Sequence, residues 1–132
     1  KGIQDVEDAK LAAQSGADAI VVSNHGGRQL DGAQSSIEAL PAIVAAVGDQ
    51  IEVWMDGGIR SGQDVLKAWA LGAKGVMIGR AMVYGLGAMG EAGVTKALEI
   101  IHKELDVTMA FCGHTNIQHV DQRIFIPGTY PT

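Results

Sequence analysis

The chain has 132 residues, 47% of them apolar, and carries a net charge of −5. That is enough apolar material for one hydrophobic core, and the negative balance excludes non-specific nucleic-acid binding through a basic surface. A single cysteine, Cys112, excludes an internal disulfide and fits a reducing, cytoplasmic compartment; no apolar run approaches a membrane span and no signal peptide is visible.

The elements follow one another in a simple alternation. Asp5 is placed to cap a first helix, with Glu7 and Asp8 in the turn where the positive dipole end favours acids, and Gly16 to stop it. "ADAIVVS" follows as a short β-branched strand. "SSIEALPAIVAAVG" reads as a helix capped by Ser35 or Ser36 and stopped near Gly48, with Pro41 in its first turns or marking a break. "IEVWMDGG" is a second strand. Ser61 caps a third helix with Asp64 at the capping-box position and Gly72 at its end. "GVMIG" is a third strand. "RAMVYGLGAMG" reads as helix or loop, the segment from about Glu91 to Leu105 as a further helix, and "DVTMAFCGH" as a separate short one. The lack of an initiator Met, the short lead-in and the coil-like tail "IPGTYPT" read as the C-terminal part of a longer protein.

"SGADAIVVS" and "LGAKGVMIG" are two copies of one joint: helix stop, Gly, Ala, two spacers, then an apolar strand. Strands alternate with helices, and the apolar runs are continuous. That pattern predicts an α/β fold with a parallel sheet buried on both faces, in a doubly wound sheet or in a segment of a (β/α)8 barrel. A complete barrel needs about 250 residues, so this chain would supply about three or four of its units. The strands are expected near Ala19–Ser23, Glu52–Met55 and Gly75–Ile78, with helices on one side as in a segment of a barrel wall and no domain boundary inside 1–132.

In either architecture the functional end is the carboxyl end of the strands. The first strand delivers Ser23, Asn24, His25, two glycines and Arg28; the second Asp56, Gly57, Gly58 and Arg60; the third Gly79 and Arg80. "DGGIRSG" offers unobstructed backbone N–H groups, a cation at Arg60 and a helix N-terminus just beyond, and "IGRA" repeats the arrangement with Gly79 and Arg80. Together they read as an anion site. Histidine readily accepts a proton near neutral pH, and the guanidinium of Arg28 is a planar fork for a carboxylate. A base beside a carboxylate clamp suits chemistry at the carbon next to a carboxylate. The alternative is that His25 caps a carbonyl and Arg28 pairs with Asp31. Cys112, His102, His114 and His119 lack metal-ligand spacing, so no metal is expected.

These motifs resemble a known family. "KGI" at Lys1, "VVSNHGGRQLD", "DGGIRSGQDVLKAWALGA" and "GVMIGR" match, in order and spacing, the C-terminal half of the FMN-dependent α-hydroxy-acid oxidases and dehydrogenases, among them glycolate oxidase, L-lactate dehydrogenase and mandelate dehydrogenase. The resemblance implies the C-terminal half of a single (β/α)8 TIM-barrel domain that binds FMN and oxidises an L-2-hydroxy acid (lactate-, glycolate- or mandelate-like) to the 2-oxo acid. It implies that Lys1 lies by the flavin N1/O2 edge, that Ser23 contacts FMN, and that His25 is the catalytic base and Arg28 binds the substrate carboxylate. Asp56, Gly57, Gly58, Ile59 and Arg60, with Gly79 and Arg80, would hold the ribityl and phosphate end.

The same resemblance implies that upstream strands supply further flavin and substrate contacts, so the remainder of the barrel is an expected partner, together with self-association into a homo-oligomer. The electron acceptor, whether oxygen, a quinone or a cytochrome, is set outside this stretch. In some members the region before the lysine attaches to a membrane, which implies a cytoplasmic protein able to sit peripherally on the inner membrane. The competing reading is a non-catalytic half-barrel that cannot bind FMN alone and is stabilised by self-association. Another phosphate-binding barrel, an isomerase or aldolase, is disfavoured by "SNHGGRQLD".

Overall fold

The structure, a computed structural model, describes residues 1–129. The reading of the tail therefore falls partly on residues 130–132, outside the described residues. Five α-helices and three strands alternate: α1 (Val6–Gln14), β1 (Ala19–Val22), α2 (Ser36–Val47), β2 (Glu52–Asp56), α3 (Gly62–Ala70), β3 (Gly75–Met77), α4 (Arg80–Met89) and α5 (Glu91–Phe111). Single 3₁₀ turns lie at His25–Gly27, Ile117–His119 and Gln122–Ile124.

The sheet is parallel, in the order β1-β2-β3, with Val22 opposite Met55 and Met55 opposite Val76. A fourth stave begins at the N-terminus. Ile3 makes a parallel bridge with Val22, the Gly2 and Ile3 N–H groups both reach Val21 O, and Ser23 N–H donates to Ile3 O at 3.1 Å. Sequence reasoning assigns this segment no strand, because three residues carry no periodicity to read.

The duplicated joint is duplicated in space. After α1, Gly16 N–H donates to Ala13 O and Ala17 N–H to Ala12 O; after α3, Gly72 N–H donates to Trp69 O and Ala73 N–H to Ala68 O. Both are Schellman closures, with glycine at the positive-φ position (85° and 103°) that an L side chain resists. Each closure turns the chain straight into a strand, so successive strands run the same way.

Helices cover one face of the sheet. Ile20, Val22, Val53 and Met55 pack beneath them with Ala9, Leu40, Ile43, Val47 and Leu71, all buried. Val21, Trp54 and Asp56 point to the opposite face and are only partly buried. Helices on one side of the sheet are what a segment of a barrel wall requires, and of the two architectures open at the sequence level the structure forms this one, its other face left partly exposed. A few staves cannot close on themselves, and the concave face has no second layer among the described residues.

Pro41 lies in the second turn of α2, which continues past it to Val47, so of the two readings the place in the early turns holds and the break does not. One expectation about the helices is corrected. "DVTMAFCGH" is not a separate helix, since α5 runs unbroken to Phe111. Leu105 and Met109 pack on Leu66 and Ala70 of α3, and Thr108 turns its hydroxyl back to Glu104 O at 2.6 Å, so the helix passes through a segment that looks like a boundary. No described helix is long and apolar enough to cross a membrane.

Candidate active site

The register of the sheet builds the site. Val22 is paired with Met55, so the next residues, Ser23 and Asp56, emerge side by side at the carboxyl end. The N-terminal stave brings Lys1 to the same place. Lys1 Nζ forms an ion pair with Asp56 Oδ2 and donates to Ser23 Oγ at 2.7 Å. Ser23 is buried, and its hydroxyl oxygen also accepts the His25 N–H at 3.1 Å. One serine thus joins the lysine to the histidine backbone. The second oxygen of Asp56, Oδ1, is buried with no hydrogen-bond partner among the described residues. A buried acceptor of this kind is costly unless something donates to it.

These groups face an open cleft of ≈ 520 Å³ lined by Lys1, His25, Gly26, Arg28, Asp56, Gly57, Gly58, Ile59, Ile78, Gly79, Arg80 and Val83. Residues drawn from four successive staves meet there, which no local pattern could have guaranteed. His25 and Arg28 are exposed, and neither side chain has a hydrogen-bond or ion-pair partner among the described residues. Asp31 instead accepts the Gly32 N–H at 3.1 Å. The pairing of Arg28 with Asp31, the alternative open at the sequence level, is not formed. Arg80 opens α4 behind an N-cap, Gly79, that supplies no side-chain cap. The Arg80 guanidinium lies 3.3 Å from where a Cβ on Gly26 would stand, so the phosphate-like end and the histidine loop adjoin.

Arg60 stands apart. It is exposed and does not line the cleft. The N-terminus of α3 that it precedes is closed by its own groups. Asp64 Oδ2 accepts the N–H groups of Arg60 (3.0 Å) and Ser61 (2.9 Å). Ser61 Oγ accepts the Asp64 N–H, and Glu104 reaches over from α5 to accept the Gly62 N–H at 2.9 Å. The capping box foreseen at Ser61 and Asp64 is the reason: a helix end satisfied from within offers little to a ligand. Of the two arginines read as an anion site, Arg80 with Gly79 lines the cleft and Arg60 does not.

Asn24 and Ser36 belong to the site but carried no functional reading in the sequence. Ser36, read only as a possible helix cap, is buried, and its hydroxyl oxygen accepts the Asn24 N–H at 3.1 Å. Ile78 and Val83 add apolar wall that strand and helix patterning assigned merely to structure. Among the described residues no group of three His, Cys, Asp or Glu side chains could hold a metal, and Cys112 is exposed.

Comparison with known proteins places this arrangement. The profile of the FMN-dependent dehydrogenase family matches residues 1–127. An L-lactate dehydrogenase of Caulobacter vibrioides is 58% identical over 124 residues, which cover 94% of this chain and 32% of that protein. A pre-mycofactocin synthase of Mycobacterium tuberculosis is 56% identical over 117 residues, covering 89% of this chain and 30% of that protein. A solved mandelate oxidase, in complex with benzoyl-formic acid, superposes with a TM-score of 0.87 at 52% identity, over 90% of this chain and 36% of that one. The chain thus spans about a third of the length of the relatives that it matches. The fold is accordingly part of a TIM barrel, built from consecutive parallel staves.

Proposed function

Because the chain belongs to the FMN-dependent dehydrogenase family, we propose that it forms the C-terminal part of a single-domain flavoprotein barrel that oxidises a small 2-hydroxy acid to the 2-oxo acid. The observation that carries this reading is the convergence of His25, Arg28, Lys1, Asp56 and Arg80 on one cleft at the carboxyl ends of the strands.

The cleft suits FMN in its charge and hydrogen-bonding capacity. The uncapped start of α4 and the Arg80 guanidinium answer a phosphate. The orphaned Oδ1 of Asp56 answers a hydroxyl donor such as those of a ribityl chain. Gly58 and Gly79 present backbone with open space where a Cβ would be, as a closely approaching cofactor requires. Ile59 lines the same cleft, and buried Ser23 meets it through the Lys1 ammonium. Arg60 is exposed beside this cleft's second loop and does not line it, so its part in holding the phosphate is the less supported of the two arginines'.

FMN, when bound, would supply the two-electron oxidant, and one of the two hydrogens that the substrate loses leaves as the proton taken by His25. Arg28 grips the substrate carboxylate through its two-pronged guanidinium and so orients C2. His25 receives the proton, from C2 or from the hydroxyl, and either route needs a base at this position. Lys1, anchored by Asp56 and Ser23, sets a positive charge where electron density accumulates. The two curated relatives, so close in identity, carry different names, a lactate dehydrogenase and a pre-mycofactocin synthase. A shared likeness to this segment thus goes with different named activities, and the likeness alone selects neither the substrate side chain nor the electron acceptor. The uncovered concave face of the sheet supports the companion reading that the isolated chain needs the rest of the barrel to bind FMN and turn over.

The test is anaerobic reduction of the bound flavin by lactate, glycolate or mandelate in the complete protein, followed by stopped flow. His25→Gln should slow it about a hundred- to ten-thousand-fold, the usual contribution of a positioned base, with substrate binding retained. Reduction at the parent rate would make His25 a structural histidine and overturn the proposal.

A further inference from the structure

We propose that Asn24 and Ser36 are positioning residues that hold His25 in its working conformation, an inference that rests on the role of His25 proposed above. His25 is the one non-glycine residue with positive φ among the described residues (55°), and it is followed by Gly26 and Gly27 at 68° and 71°. A left-handed run that begins on an L side chain does not persist by itself; its surroundings must impose it.

The restraint is visible in the hydrogen bonds. Three successive backbone N–H groups end on side-chain oxygens rather than on carbonyls. Asn24 N–H donates to Ser36 Oγ (3.1 Å), His25 N–H to Ser23 Oγ (3.1 Å) and Gly26 N–H to Asn24 Oδ1 (3.0 Å). Ser23 and Ser36 are each 2% exposed and are the buried polar residues of the described chain. A hydroxyl kept in a core is kept for a partner. Here the partners are the successive amides of Asn24 and His25. Ser36 is the first residue of α2, which packs beneath β1 and β2, so the bond ties the loop to the rigid layer. The Asn24 amide also donates to Gln34 O at 3.3 Å, a carbonyl that Gln4 holds as well at 2.7 Å. Asn24 thus fixes both ends of the loop that carries Arg28.

The residue choice follows. Gly57 must lack a side chain for this contact to form, because Ser36 Oγ lies only 2.9 Å from the point where a Cβ on Gly57 would stand. Asn24 must present an acceptor one atom beyond Cγ to reach the amide two residues on, which alanine cannot do and aspartate can.

The experiment compares Asn24→Ala, Asn24→Asp and Ser36→Ala with the parent in the complete flavoprotein. The readouts are the limiting rate of flavin reduction, substrate affinity, and FMN affinity by fluorescence titration. Displacement of a reacting group by about 1 Å costs roughly a hundredfold, so both alanine variants should lower the limiting rate by about ten- to a hundredfold. FMN affinity should stay at the parent value, Asn24→Asp should keep the acceptor for the Gly26 N–H but lose the donation to Gln34 O and so recover only part of the rate, and a crystal structure of Asn24→Ala should show His25 out of the positive-φ region. Parent-like reduction in both alanine variants would overturn the proposal while His25→Gln remained impaired. Loss of FMN binding in step with the rate would also overturn it, by marking the two residues as general scaffold. A His25→Gln variant that reduced its flavin normally would instead remove the reading beneath it.

Discussion

Gly57→Ala probes the point where the two cleft loops press together. Gly57 has φ +92°, and a Cβ there would lie 2.9 Å from Ser36 Oγ and 3.1 Å from Asn24 Oδ1. Gly58, the next residue, has nearly the same backbone at φ +85° but nothing within 4 Å of its Cβ position. Placing an L side chain at positive φ costs roughly 1–2 kcal/mol at either site. At Gly57 the methyl must also push Ser36 away from the Asn24 amide, losing about 0.5–1.5 kcal/mol for one hydrogen bond in a part-buried site. Gly57→Ala should therefore cost about 1.5–3.5 kcal/mol, and Gly58→Ala about 1–2 kcal/mol. Equilibrium urea unfolding of the two apoproteins beside the parent measures the difference directly, because the backbone strain common to both cancels. Equal losses at the two positions would show that Ser36 and Asn24 do not meet the Gly57 loop as described, and would weaken the account of the site built on that contact.

Much of the fold was legible because the chain writes its joints in local chemistry. Asp5, Ser61 with Asp64, Gly16 and Gly72 are caps whose hydrogen bonds lie within a few residues, and all of them form as read. Local signals failed where a distant partner overruled them. Asp106 and Thr108 look like a helix boundary, yet packing of Leu105 and Met109 on α3 carries α5 through them. The glycine-rich "RAMVYGLGAMG" reads equally as helix or loop by local chemistry; it is α4, and Gly85 and Gly93 let its backbone lie directly against α5.

The site divides along the same line. Its glycines, His25 and Arg80 stood out because unusual residues cluster at strand ends. Its wiring did not, because the Lys1–Asp56 pair and the Lys1–Ser23 bond exist only once the staves are in register, Ser23 and Asp56 each one residue past the Val22–Met55 pair. Ser36 was hidden for a subtler reason: as the second of two serines before a helix it has a sufficient local explanation, and only its burial reveals a second one.

Arg80→Ala should weaken FMN binding, by roughly ten- to a hundredfold for the loss of a charged hydrogen bond, more than it slows the flavin that remains bound. Unchanged affinity by fluorescence titration would remove Arg80 from the phosphate site. Arg28→Lys should damage both substrate affinity and flavin reduction, since an ammonium cannot reproduce the bidentate fork; a variant with parent-like affinity for the 2-hydroxy acid would refute the clamp. The last prediction concerns pH. Glu38 accepts the Ser35 hydroxyl at 2.6 Å and the Ser35 N–H at 3.2 Å, and these bonds, the hydroxyl first, hold its carboxyl below the ordinary value of 4.5. A depressed carboxylate stabilises the folded state fully above its unfolded value and loses that contribution as pH falls through the folded one. The parent should therefore be more stable than Glu38→Gln at pH 7, and the gap should close as the pH is lowered from 4.5 through the folded value. Urea midpoints for the two proteins across that range measure it. A gap that stayed constant into acid would mean that the charge of Glu38 does not act through Ser35, and that the start of α2, where Ser36 sits, is held by other contacts.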